Sequence, residues 1–194
     1  MRKKLRVKDQ ELILFCEMLS LLISCGVPIL DTFSVFAEHL GLRTALGKAI
    51  MYVRAKVAEG KNIAGPMREA GFPSALCQLV FIGESTGALD VCLRKYADVL
   101  RTPGSELKRF CMLLALCIDR GLPLVTALDL LAEQFGGSFG QDILKVKTRV
   151  DGGATFANAL RRENFDKLFC AVVAAGEVGG ILDTVLNRFA EFVE

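Results

Sequence analysis

The octapeptide Gly83-Glu84-Ser85-Thr86-Gly87-Ala88-Leu89-Asp90 returns as Gly176-Glu177-Val178-Gly179-Gly180-Ile181-Leu182-Asp183, and the rest of the chain aligns around the two copies. Phe15 pairs with Phe110, Gly26 with Gly121, Pro28 with Pro123 and Ala37-Glu38 with Ala132-Glu133, each pair 95 residues apart. Past the middle of the unit the separation is 93, which carries Gly60 onto Gly153, Cys77 onto Cys170 and Leu93 onto Leu186. Two residues are therefore missing from a loop of the second copy. Whatever this sequence folds into must work twice, and the period is longer than that of common solenoid repeats, so the repeat indicates two small domains.

The expected domains are residues 1–101 and 102–194, joined by a linker at 101–105 in which Thr102-Pro103-Gly104 breaks the helix and Ser105 caps the next one. Domains that small have modest cores, yet 52% of the residues are hydrophobic and the mean hydropathy is +0.41. Each domain is thus densely apolar, or buries surface against the other or against a partner, and homodimerisation is an expectation. A formal charge of +2 provides no strong field for nucleic acid.

The most apolar stretch, Leu12 to Leu30, is interrupted by Glu17 and ended by Gly26-Val27-Pro28, leaving less than the roughly 20 apolar residues a bilayer span needs. No transmembrane segment and no secretory signal is expected. The basic start, Met1 to Lys8, reads as a solvated tail, with peripheral contact to an anionic lipid surface as the alternative. Seven cysteines, none in a Cys-x-x-Cys arrangement, and five of them (Cys16, Cys77, Cys111, Cys117, Cys170) in apolar helical runs, read as buried reduced thiols. His39 is the single histidine, so a zinc site is not expected.

Apolar residues recur at three- and four-residue spacing throughout, and alternating strand patterns are missing. The reading is all-α: two tandem antiparallel six-helix bundles related by internal duplication. A first helix from about Lys8 to Cys25, copied at Glu106 to Arg120, ends at a left-handed glycine (Gly26, Gly121), and proline (Pro28, Pro123) sits in the first turn of the second helix. So short a link makes a hairpin whose second helix runs to about His39, or Gln134 in the copy. The third helix, Thr44 to Glu59, ends at Gly60, with Gly153 as its counterpart, and Asn62 and Thr155 cap the fourth. Gly136-Gly137-Ser138 reads as a turn followed by a cap. Phe72-Pro73 opens the fifth helix, whose stripe of Leu76, Leu79, Val80 and Ile82 is repeated by Phe165, Leu168, Phe169, Val172 and Val173. The sixth runs from Leu89 to Leu100, with Leu89, Leu93, Tyr96 and Ala97 matched by Leu182, Leu186, Phe189 and Ala190.

Glu84 and Glu177 stand out, because a carboxylate at a helix C-terminus opposes the macrodipole unless something compensates. After the reversal at Gly87 or Gly180, the free N–H groups of the sixth helix offer that compensation. A minority reading has these glutamates facing a partner or a cation shared with Asp90 or Asp183. Oxygen-ligand cation sites need about six donors, however, and Asp90 and Asp183 read as dipole partners of the sixth helix. Enzymatic chemistry is not expected: His39 has no counterpart in the second copy, where Gln134 follows Glu133, and no phosphate-binding glycine loop precedes a Lys-Ser/Thr pair.

The ordered set of motifs resembles the type II secretion F-domain family, the inner-membrane platform proteins of type II secretion and type IV pilus machines. The set is Gly26 and Pro28 after an apolar first helix, Gly60 after the third, and Gly83, Glu84, Gly87 and Leu89 before the last. It recurs as Gly121, Pro123, Gly153, Gly176, Glu177, Gly180 and Leu182. The resemblance implies a non-enzymatic scaffold, without cofactors, that couples a cytoplasmic assembly ATPase to inner-membrane components at the cytoplasmic face of that membrane. It also implies membrane spans between and after the two domains, whereas Leu100 to Ser105 is short and the sequence stops at Glu194. Either spans were removed from a longer protein or the chain is a compact soluble relative. The alternative function is a helical adaptor derived from that family or unrelated to secretion.

Overall fold

Twelve helices account for the regular structure of the described residues, six in each half of the chain, and no strand is found among them. The computed structural model describes residue 5, residues 7–41 and residues 43–193. The chain divides into two compact units, Met1–Arg101 and Thr102–Glu194. The first holds α1 (Asp9–Ser24), α2 (Ile29–Leu40), α3 (Ala45–Ala58), α4 (Ala64–Glu69), α5 (Ser74–Thr86) and α6 (Leu89–Arg101). The second holds α7 (Glu106–Asp119), α8 (Leu124–Phe135), α9 (Gly137–Asp151), α10 (Phe156–Arg162), α11 (Lys167–Gly179) and α12 (Leu182–Phe192). The sixth helix of the first unit includes Arg101, so the break expected at 101–105 begins one residue later.

Within each unit the helices pair in the same order. The first packs most extensively against the sixth, the second against the third and the fifth against the sixth, with the short fourth helix between the third and the fifth. The core is centred on equivalent phenylalanines. Phe15 is 1% exposed and packs its ring with the centroid 5.5 Å from those of Phe36, edge-on, and Phe72, tilted, while Phe110, also 1% exposed, lies 6.2 Å from Phe135 and 5.8 Å from Phe139. Such side chains each contribute roughly 1.5–3 kcal/mol by leaving water, and the aromatic pairs about another 0.5–1.5 kcal/mol. Leu93, Tyr96 and Ala97 of α6 and Leu186, Phe189 and Ala190 of α12 close the two cores. Leu168, counted in the fifth-helix stripe, instead points outward and is 65% exposed.

The backbone reversals use the expected residues with one adjustment. Gly26 (φ +80°) and Gly121 (φ +81°) adopt the left-handed conformation, and the bonds Val27 N–H to Leu22 O and Leu122 N–H to Cys117 O, both 3.0 Å, close the helix ends. Pro28 and Pro123 sit just before α2 and α8 rather than inside their first turns. Pro28 O accepts from Asp31 and Thr32, each at 3.0 Å. Gly60 (φ +87°) and Gly153 (φ +91°) end α3 and α9 in the same way.

The missing pair of residues falls between the second and third helices. Residues 41–44 join α2 to α3, whereas Gly136 alone joins α8 to α9. Ser138 is therefore inside α9 and caps nothing; the turn is made by Gly136 and Gly137, both at positive φ, with Gly140 N–H donating to Gly136 O at 2.7 Å. A second glycine pair at the 93-residue separation belongs to this junction. A Cβ on Gly47 would overlap the carbonyl oxygen of Gly41, and one on Gly140 that of Ala132, so both glycines let the third helix begin against the end of the second.

Candidate functional site

The repeated octapeptide folds into the same corner in both units. In the first, α5 ends at Gly87, whose φ of +70° reverses the chain, and Ala88 N–H returns to Gly83 O at 3.0 Å. In the second, Gly180 (φ +66°) does the same and Ile181 N–H donates to Gly176 O at 3.1 Å. Gly83 and Gly176 are buried because the sixth helix starts directly on them. A Cβ on Gly83 would lie 2.7 Å from Leu89 Cα, and one on Gly176 would lie 3.3 Å from Leu182 Cα and 3.2 Å from Val185 Cβ.

The two glutamates act at a different helix from the one expected. Glu84 accepts from the backbone N–H groups of Ile63 at 2.6 Å and Ala64 at 3.1 Å, and Glu177 from those of Phe156 at 2.6 Å and Ala157 at 2.9 Å. These donors open the fourth helix of each unit, not the sixth. The reason is directional: a helical side chain leans toward its helix N-terminus, so a residue in the last turn of α5 or α11 points back along the bundle, away from the following turn. There it meets the start of the helix that precedes its own. Asn62 Oδ1 accepts from Gly65 N–H at 3.1 Å, and Thr155 Oγ1 from Asn158 N–H at 3.3 Å. Two side chains thus satisfy three consecutive N–H groups of each short helix, groups that the helix has no internal acceptor for.

The fourth helix is bracketed by left-handed residues on both sides. Gly60 and Gly71, both at φ +87°, flank α4, while Gly153 at +91° and Asn164 at +59° flank α10. Asn164 is the counterpart of Gly71 and the one non-glycine residue at positive φ among the described residues. Leu89 and Leu182 start the sixth helix against the buried glycine, and Asp90 and Asp183 occupy its first turn. Asp90 also presents its carbonyl oxygen to Ser20 Oγ–H at 2.8 Å, which ties α6 to α1. Gly60, Gly83, Glu84, Gly87 and Leu89 are thereby assembled around one corner, as are Gly153, Gly176, Glu177, Gly180 and Leu182. Gly26, Pro28, Gly121 and Pro123 make separate hairpin turns whose hydrogen bonds are local.

The chemistry available at these corners is hydrogen bonding by a carboxylate already committed to backbone donors. No group of three or more His, Cys, Asp or Glu side chains suited to a metal comes together among the described residues. Burial pushes the Cys16 thiol up and raises Cys111 and Cys117 to about 12, which keeps these sulfurs protonated and poorly nucleophilic. Cys77 and Cys170 donate to the carbonyls of Phe72 and Phe165 at 3.7 and 3.6 Å, so even this contact is written twice. Cys25 alone among the seven is exposed.

An all-helical unit made twice, with matched glycines and matched carboxylate caps, defines a tandem helical module in which the two halves share one ancestor. The sequence model of the family described as Type II secretion system (T2SS), protein F matches it in two stretches, residues 15–102 and 110–194, and the chain belongs to that family. It is 53% identical over 85 residues to the type IV pilus assembly protein PilC of Myxococcus xanthus, covering 43% of this chain and 20% of that one. The PilC of Thermus thermophilus is 40% identical over 97 residues, 48% of this chain and 24% of its own. The type II secretion system protein F of Xanthomonas campestris pv. campestris is 34% identical over 142 residues, 72% of this chain and 34% of that protein. The matched stretches thus span between about a fifth and a third of these relatives. No helix among the described residues is long and apolar enough to cross a membrane.

Proposed function

We propose that this chain is a non-enzymatic platform module of a type II secretion or type IV pilus assembly machine. In this reading its two domains, 1–101 and 102–194, stand at the cytoplasmic face of the inner membrane and hold the assembly ATPase close to inner-membrane assembly proteins. The observation that supports it most is the family match across both halves, together with relatives named for pilus assembly and for type II secretion. The motif residues from Gly26 and Pro28 to Gly180 and Leu182 serve as internal fastenings of the scaffold, leaving the outward helix faces for partners. No cofactor enters the reading, and self-association through those faces accompanies it.

The test is co-sedimentation of the chain with the purified assembly ATPase of the same machine. Retention at micromolar concentration, corresponding to roughly −8 kcal/mol, is the expected result. Absence of binding in that range refutes the platform reading and favours an adaptor with some other partner.

A further inference from the structure

The corner where α10 meets α11 carries a positive charge that its own surroundings leave uncompensated. Arg161 and Arg162 end α10, Lys167 begins α11, and all three are exposed. Four carboxylates lie between residues 142 and 168, and three are already engaged. Asp142 pairs with Lys145 at 2.7 Å, and Glu163 with Arg149 at 2.5 Å. Asp166 caps α11 by accepting from Leu168 and Phe169 N–H at 2.8 and 3.0 Å. The fourth, Asp151, is the last residue of α9 and makes no ion pair with Arg161, Arg162 or Lys167. Arg161 makes one hydrogen bond, to Asn158 Oδ1 at 3.0 Å, and Arg162 and Lys167 have no ion-pair partner among the described residues. Beside them Leu168 is 65% exposed in the first turn of α11. Arg161 is near enough to α11 for its charge to lower the Cys170 thiol against the upward push of burial.

The first unit supplies an internal control. At the same places in the same helix pair it has Arg68, Glu69, Ser74 and Ala75, one charge of each sign and no exposed leucine, with Tyr52 Oη–H donating to Glu69 at 2.5 Å. The fold is made equally well without the basic corner. The charge and the leucine therefore answer to something outside the unit.

We infer that the corner formed by Arg161, Arg162, Lys167 and Leu168 docks an acidic protein segment carrying an apolar side chain, which under the platform reading proposed above belongs to the assembly ATPase. Two adjacent guanidinium groups suit discrete carboxylates, each of which an arginine binds in a planar, two-pronged fashion. Leu168 offers the desolvated contact that turns such pairs into a specific interface. A protein segment fits better than an anionic lipid sheet, because the exposed Asp166 stands beside Lys167 and would face the headgroups of a uniform negative surface.

The experiment measures binding of the purified assembly ATPase to the intact chain and to its variants at two salt concentrations. Arg161→Glu/Arg162→Glu weakens binding by about tenfold or more. Lys167→Glu, whose new carboxylate suits the first turn of α11 and so leaves folding intact, weakens it by a smaller factor. Arg68→Glu in the first unit leaves it unchanged, and raising the salt weakens the wild-type complex more than the reversed one. Wild-type binding that survives both reversals overturns the corner while leaving the platform reading in place. No wild-type binding overturns both. Vesicles containing about one third phosphatidylglycerol provide the other arm, and association with them that the same reversals abolish assigns the corner to lipid and overturns the protein partner.

Discussion

Replacing Glu84 with alanine removes the acceptor for two backbone donors at once. Ile63 and Ala64 are 6% and 2% exposed, so their N–H groups have little water to turn to. A hydrogen bond to a charged acceptor contributes about 1.5–3 kcal/mol net, and an N-cap substitution typically costs about 1 kcal/mol. Because Glu84 itself is half-buried, the lower end of the range applies to each bond, which gives about 2–4 kcal/mol for Glu84→Ala. Glu84→Gln keeps one acceptor oxygen but turns an NH2 toward the other donor, so it loses about half as much. Measured by native-state hydrogen exchange, a loss of 2 kcal/mol appears as a roughly 30-fold drop in protection. The drop belongs at Ile63 and Ala64, and for Glu177→Ala at Phe156 and Ala157. Unchanged protection there, or loss concentrated at the start of α6 or α12, refutes the assignment of these carboxylates to the fourth helix.

The buried glycines give an asymmetric pair. Gly83→Ala forces a methyl to within 2.7 Å of Leu89 Cα, where the backbone must move, so overpacking of about 1–3 kcal/mol exceeds the gain of roughly 1 kcal/mol in helix propensity. Gly176→Ala meets nothing nearer than 3.2 Å and is the milder change by urea denaturation. At Gly121 the surroundings are open but φ is +81°, so Gly121→Ala costs about 1–2 kcal/mol from backbone strain alone and Gly121→Asn costs less. In native protein a thiol reagent at mildly alkaline pH modifies Cys25 rapidly and the six buried cysteines slowly; several fast thiols refute the burial. Cys111 and Cys117, raised from 9.0 to about 12, keep their protons in the folded state while the unfolded chain loses them. Stability is thus fully present below pH 9 and falls as pH climbs toward 12, and denaturation midpoints flat across that window contradict it.

The matched glycines and prolines placed most helix ends within a residue, because a left-handed turn is a local demand that only a few residue types meet. What escaped the sequence was long-range direction. Glu84 and the sixth helix are neighbours in the chain, whereas Glu84 and Ile63 are 21 residues apart, and only the bundle's packing order shows that the last turn of α5 lies over the first of α4. Gly47 and Gly140 were readable in principle, since they obey the 93-residue separation, but a glycine with ordinary helical φ shows its purpose only through the neighbour its Cβ would strike. Ser138 failed as a cap for a related reason. With two residues deleted at the α8–α9 junction, α9 starts at Gly137, one residue earlier in its unit than α3 does, and the serine falls inside it. Leu168 belonged by spacing to an apolar stripe, yet its counterpart Ala75 is buried and it is not, a difference that pattern alone does not carry.

An experimental electron-density map of the whole chain addresses the duplicated design most directly, by overlaying residues 9–101 on 106–192. It should show helices in the same order in both halves, with Glu84 on the amides of Ile63 and Ala64 and Glu177 on those of Phe156 and Ala157. Halves that differ in helix order, or glutamates turned to solvent in either one, would contradict it.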